Sequence, residues 1–185
     1  IGKYDVTEDL KEGGTFLLNC PWTEDELETR LTGKIKRDLA KKHINFYIID
    51  AAKIAAEIGL GKRTNNVLQG AFFALTKVIP MDVAEEDMKR NNYNSYFKKA
   101  GQKIVDLNNK AVDLGISAAV KINIPAEWAT AEDTPAAMPK NATPFVRDIV
   151  VPMDRQMGDK LPVSVFQKYG VLDGTWENGT SAYSK

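Results

Sequence analysis

The sequence predicts an α/β fold with a parallel sheet, and three observations carry that expectation. Two short apolar runs, Thr15-Phe16-Leu17-Leu18 after a glycine pair and Phe46-Tyr47-Ile48-Ile49, have the length and the branched or aromatic content of strands buried on both faces. The segments between them have helical character, and strand, helix, strand is the order of a right-handed βαβ unit. With 43% hydrophobic residues, 185 residues suffice for one ordinary domain core plus an appendage.

Each element has its local reason. Residues 5–12 read as a short helical turn closed by Gly13 in the left-handed conformation, and the strand at 14–18 follows at once. Asn19-Cys20-Pro21-Trp22 then shapes a turn at the strand's carboxyl end, where open α/β sheets gather ligands. Thr23-Glu24-Asp25-Glu26 is a capping box that starts a helix running to about Leu31 and breaking near Thr32-Gly33. A second helix, 34–42, turns Ile35 and Leu39 inward. After the strand at 45–50, Asp50 caps a helix at 51–58, which Gly59 ends. Residues 59–66 form a glycine-rich basic loop leading into a helix at 66–79. That helix is apolar almost all round and is expected to be central, with Gly70 allowing close approach and Pro80 ending it. Two more helices are expected at 84–93 and 95–115, then a half-exposed strand or domain exit at 120–124.

From Pro125 the composition becomes that of a linker, with Pro125, Pro135, Pro139 and Pro144 inside twenty residues, and a boundary is placed near 125. The tail shows a strand pattern at 145–152, then Gly158-Asp159-Lys160-Leu161-Pro162-Val163-Ser164. Turn signals follow at Asp173-Gly174-Thr175 and Asn178-Gly179-Thr180. So few core positions would not fold well alone, so the tail is expected to wrap around a larger body. The opening Ile1-Gly2-Lys3-Tyr4 and the ending Ser184-Lys185 read as a piece of something longer.

Composition excludes several classes. Lys+Arg and Asp+Glu stand at 25 each, so no global field draws the chain to nucleic acid or an anionic membrane. No apolar run reaches the roughly 18–20 residues of a membrane span, and no signal-like segment opens the chain, so the cytoplasm is the expected compartment. One cysteine holds neither a disulfide nor a four-thiolate cluster, and with His43 alone beside it a zinc site is not expected.

The candidate sites each have a plain structural alternative. Cys20 with His43 offers a nucleophile and a base, but nothing in the pattern places them together, and a structural thiol is the preferred reading. Residues 59–66 offer glycines, cations and a helix start to an anion, without the spacing of a known phosphate loop; the alternative is a turn with Lys62 and Arg63 solvated. Lys34, Lys36, Arg37, Lys41, Lys42 and His43 either bind a polyphosphate tail or form a solvated helix face. Asn19 either faces a ligand or makes an Asx-type turn. Paired carboxylates, metal-ligand spacing and a catalytic triad order are not apparent.

The run Glu12-Gly13-Gly14-Thr15-Phe16-Leu17-Leu18-Asn19 with Pro21-Trp22 resembles a stretch of the pyruvate:ferredoxin (flavodoxin) oxidoreductases. Further matches are Asp50-Ala51 with Lys53-Ile54-Ala55, Ile58-Gly59-Leu60-Gly61, Arg63-Thr64-Asn65, and Ala71-Phe72-Phe73. Lys110-Ala111-Val112-Asp113 and Phe145-Val146-Arg147-Asp148-Ile149-Val150 continue the series, as does 158–164, in collinear order over nearly the whole chain. The resemblance implies that residues 1–125 are the later part of the gamma-type domain. They would form a partial Rossmann-like parallel sheet, flanked by helices and lacking its first strand. Residues 126–185 would be an extended arm containing short strands, leading toward an iron–sulfur domain, although Tyr183-Ser184-Lys185 departs from the family's tail signature.

Parent enzymes of this kind decarboxylate pyruvate on thiamine diphosphate with Mg, and pass electrons through [4Fe–4S] clusters to ferredoxin or flavodoxin. They transfer the acetyl group to coenzyme A, and the parent is expected to be a homodimer. The cofactor-binding parts for thiamine and clusters lie outside this chain, so no catalytic residue is expected in it and the piece alone is expected to be inactive. The gamma-type domain is associated with coenzyme A, which implies Gly14 and Asn19 for a crevice and Lys34, Lys36, Arg63 and Asn65 for phosphate or adenosine contacts. The competing expectation is a structural module that docks onto other domains without touching a ligand; a free-standing nucleotide-binding enzyme stands behind both.

Overall fold

The computed structural model describes residues 4–133, Met138, Lys140 and 142–168. The turn signals at 173–175 and 178–180 and the tail end at 183–185 lie outside the described residues. The chain divides into two compact units, residues 7–131 and residues 1–6 with 132–185.

The first unit holds a three-stranded sheet in the order β1-β2-β3. Strand β1 (Thr15–Asn19) pairs in parallel with β2 (Asn45–Ile49), Thr15 opposite Asn45 and Asn19 opposite Ile49. The expected βαβ unit is present, its crossover made of α1 (Glu24–Arg30) and α2 (Gly33–Lys41). Both predicted signals at α1 are realised: Glu26 N–H donates to Thr23 Oγ1, and Thr23 N–H donates to Glu26 Oε2 at 3.0 Å. The break before α2 is also a start signal, because Thr32 Oγ1 accepts from Ile35 N–H. Ahead of β1, residues 5–12 form turns rather than a helix, and Gly13 has the expected left-handed φ of 69°.

The sheet is mixed rather than wholly parallel. Strand β3 (Val120–Lys121) runs antiparallel to β2, and Ile122 N–H extends the pairing to Phe46 O. Alternation along the strands sends side chains to two helical layers. Phe16, Leu18, Phe46 and Ile48 face α1 and α2, packing with Leu27, Leu31, Ile35 and Leu39, and the stacked rings of Phe16 and Phe46 lie 5.8 Å apart. Leu17 and Ile49 face the other layer: α3 (Ala51–Glu57), α4 (Asn65–Thr76) and α6 (Gln102–Ala118). Asp50 caps α3 as expected, accepting from Lys53 N–H at 2.9 Å.

Helix α5 (Met81–Ala100) packs on α6. The expected break near residue 94 is absent, and the two helices meet at Gly101 (φ 76°, ψ 177°), a conformation essentially restricted to glycine. Gly70 permits the close approach its position suggested, and its partner is Gly115 of α6. A Cβ on Gly70 would stand 2.5 Å from Val112 O, and one on Gly115 2.1 Å from Val67 O. Helix α4 is central through Val67, Gly70 and Ala71, yet Phe72 is 49% exposed, so its apolar surface is wider than the layer covering it.

In the second unit the strand expected at 145–152 is helical. A π-helical turn (Val146–Val150) runs into α7 (Val151–Asp154), and a 3-10 turn (Gly158–Lys160) precedes α8 (Val163–Gln167). Thr143 Oγ1 accepts from Val146 N–H, which makes Thr143-Pro144 a helix start that outweighs the branched residues after it. Phe145, Val146 and Ile149 are buried at helical spacing. The widened turn lies directly ahead of Pro152, which has no N–H to give an ordinary α-helical bond.

Candidate functional site

Two places in the 7–131 unit suit a ligand. At the carboxyl ends of β1 and β2, a cavity of about 430 Å³ is lined by Cys20, Trp22, Asp50, Lys53, Ile54 and Val120, among others. Asn19 at this edge uses its Oδ1 to accept from Ala51 N–H at 3.1 Å, tying β1 to the start of α3. Burial pushes the Cys20 thiol above its ordinary pKa, outweighing a backbone hydrogen bond at Trp22 that lowers it, with smaller upward contributions from the Asp50 and Glu26 charges. That is the environment of an inert structural thiol. His43 precedes β2 at the opposite end of the parallel pair, so the two do not meet.

The second place is the start of α4, where Lys62, Arg63, Asn65, Asn66, Tyr96 and Asn108 line a cavity of about 350 Å³. Thr64 makes no side-chain capping bond there, so the first-turn N–H groups of a twelve-residue helix are left open. Among the described residues, neither Lys62 nor Arg63 has a side-chain hydrogen bond or ion pair. Asn66 is buried and donates from Nδ2 to Asn108 Oδ1 at 2.6 Å, while Asn108 Nδ2 donates to Ile104 O at 2.8 Å. This ladder fixes the inner wall. Open amides, two cations and fixed amide side chains suit an anion carrying several acceptor oxygens.

The six residues expected at the site do not converge. Gly14 lies at the amino end of β1 and Asn19 at its carboxyl end, roughly 16 Å apart for a five-residue strand. Gly14 serves the turn before β1, where a Cβ would meet Lys11 O at 2.8 Å. Lys34 pairs with Asp38 Oδ2 at 2.6 Å on α2. Lys36 is buried, 7% exposed, and donates to the Glu28 carboxylate and to Glu28 O. Arg63 and Asn65 alone share a cavity. Two further cations of the α2 cluster also have local tasks. Arg37 donates to Ala131 O, and Lys42 donates to Thr7 O and Glu8 O, both at 2.9 Å. Sequence reasoning missed Tyr96 and Asn108, which come from α5 and α6. For Asn108 a signal existed: a polar residue inside the inward stripe Ile104, Leu107, Ala111. Among the described residues, no group of three or more His, Cys, Asp or Glu side chains is arranged to hold a metal ion, and no helix is long and apolar enough to cross a membrane.

Fold and site together define a three-layer α/β domain with a cationic pocket at a helix start. A family model described as pyruvate ferredoxin/flavodoxin oxidoreductase matches residues 2–118, and one described as a domain of unknown function matches residues 131–185. The chain is 48% identical over 185 residues to the pyruvate-flavodoxin oxidoreductase of Enterobacter agglomerans and 45% over 186 to that of Klebsiella pneumoniae. It is 42% identical over 185 residues to the pyruvate:ferredoxin oxidoreductase of Moorella thermoacetica. Each alignment covers all of this chain but only 15%, 16% and 15% of the respective relative. The chain belongs to the pyruvate ferredoxin/flavodoxin oxidoreductase family, as the resemblance of its motifs implied.

Proposed function

We propose that this chain is the coenzyme A-associated segment of a cytoplasmic oxidoreductase that converts pyruvate to acetyl-CoA and passes electrons to ferredoxin or flavodoxin. In this reading residues 1–125 are the gamma-type domain without its first strand, and 126–185 lead toward an iron–sulfur domain. Other domains of a homodimeric parent supply thiamine diphosphate, Mg and the [4Fe–4S] clusters. The observation that carries the proposal is the α4 pocket, where Lys62 and Arg63 have no side-chain partner among the described residues and stand beside open helix amides. A phosphate of coenzyme A suits that donor set: Arg63 offers a bidentate fork, Lys62 a point charge, and Asn65 an amide at the rim. These residues bind and orient; the thioester chemistry belongs elsewhere in the enzyme.

The test is steady-state kinetics of the intact oxidoreductase carrying Arg63→Ala or Lys62→Ala. Hydrogen bonds to charged groups contribute about 1.5–3 kcal/mol, so each change is expected to raise KM for coenzyme A by roughly 10-fold or more with little change in kcat. If coenzyme A saturation is untouched by both, the phosphates bind elsewhere. The alternative reading, a docking module without ligand contact, draws on the exposed apolar side chains Phe72, Val78 and Val83. It predicts unchanged coenzyme A kinetics together with loss of assembly when Val78 is replaced by Asp.

A further inference from the structure

Residues 119–130 fall between the two segments matched by family models, yet they hold a buried tryptophan of the α/β unit. Trp128, 3% exposed, sits in the 3-10 turn Ala126–Thr130 against α2 and joins the core cluster of Leu27, Ile35 and Leu39. Its indole Nε1–H donates to Glu28 Oε2, and the other oxygen of that carboxylate takes the Lys36 ammonium. The Lys36 Nζ also lies 5.7 Å from the centre of the indole ring, within cation–π range. Arg37 closes the far end by donating to Ala131 O. The seat is thus built from α1 and α2, while the segment itself has little of its own to hold it. Its own bonds are those of a single 3-10 turn, bounded by Trp128 N–H to Pro125 O at 3.1 Å and Ala131 N–H to Trp128 O at 3.2 Å, with Thr130 Oγ1 donating to Glu127 O at 3.2 Å.

A segment held by one large side chain and a few charge-assisted bonds, outside every sheet and long-helix ladder, has the composition of a separate opening unit. We infer that residues 126–131 are a clasp: a strap that seats Trp128 on the Glu28–Lys36 pair and opens without unfolding the sheet. Lys36 is on this account a positioning residue whose charge faces inward, and the clasp fixes the point at which the chain leaves the 7–131 unit.

Hydrogen exchange of the full chain across a series of low denaturant concentrations reads the two kinds of opening separately. In the wild type, the amides of 126–131 should exchange at least tenfold faster than those of α6 and with little dependence on denaturant, whereas α6 should show the steep dependence of global unfolding. Glu28→Ala, which leaves the core intact and removes both carboxylate bonds, should speed exchange at 126–131 a further tenfold while keeping its shallow slope. The inference is overturned if 126–131 follow α6 in rate and slope, because the segment would then be ordinary core. It is equally overturned if Glu28→Ala leaves exchange at 126–131 unchanged, because the carboxylate would not be the seat.

Discussion

Asp38 shows how a side chain in the α2 cluster is spent. Burial pushes its carboxyl up, but hydrogen bonds from Lys34 Nζ and Thr7 Oγ1, both 2.6 Å, together with the charge of Lys42, outweigh that and hold it below the ordinary carboxylate range. A depressed folded pKa means stability that is present above the unfolded value and lost as pH falls through the folded one. Asp38→Asn should therefore cost about 1 kcal/mol at neutral pH, discounted for the half-exposed Lys34, and the gap from wild type should close in acid. Thermal unfolding of both proteins across that range is the check; a gap that stays constant would mean the pairing contributes nothing. The same cluster explains why charge alone was a poor guide to the site. Five cations on one short helix looked available in sequence, and only three-dimensional placement showed Lys34, Lys36, Arg37 and Lys42 already engaged. Of the three cations expected at the site, Arg63 alone lines the α4 pocket, and among the described residues it makes no ion pair.

Among the elements, the α4–α6 crossing and the α5–α6 joint depend on glycine for different reasons. At the crossing the reason is space: an added methyl on Gly115 would lie 2.1 Å from a carbonyl oxygen of the facing helix, and backbone cannot yield as a side chain can. Gly115→Ala is expected to cost about 3 kcal/mol, at the upper end for overpacking, read as a lowered urea midpoint with an unchanged slope. At the joint the reason is conformation: nothing lies within 4 Å of a Cβ on Gly101, but its φ of 76° with extended ψ is strained for any other residue. Gly101→Ala should cost about 1–3 kcal/mol by the same measurement, and an effect under half a kcal/mol would show that the joint relaxes. Local signals located the capping box, Asp50 and Gly13 because each acts through neighbours a few residues away. They failed at 145–152, where branched residues favour a strand and the start signal at Thr143-Pro144 favours a helix. The helical spacing of Phe145, Val146 and Ile149 was decided by burial.

For the molecule as a whole, the compact α/β unit runs through Ala131, six residues past the composition change at Pro125. Two shortened chains distinguish the meanings of these positions. One ending after Ala131 is expected to keep the unfolding free energy of residues 7–131, and one ending after Pro125 to lose about 3–5 kcal/mol with the Trp128 side chain. Equal stability of the two would show that the 126–131 segment adds nothing. By itself the sequence determined the α/β class, the parallel βαβ unit, the caps and the family, because strand periodicity, cap chemistry and a collinear series of motifs all act or repeat over short stretches of chain. Tertiary structure alone decided that β3 turns antiparallel, that Gly70 meets Gly115, that Lys36 turns inward to Glu28, and that Arg63 and Asn65 share a pocket with Tyr96 and Asn108. Each of these depends on groups far apart in sequence competing for the same few ångströms, and which of them arrives there is settled only when the layers pack.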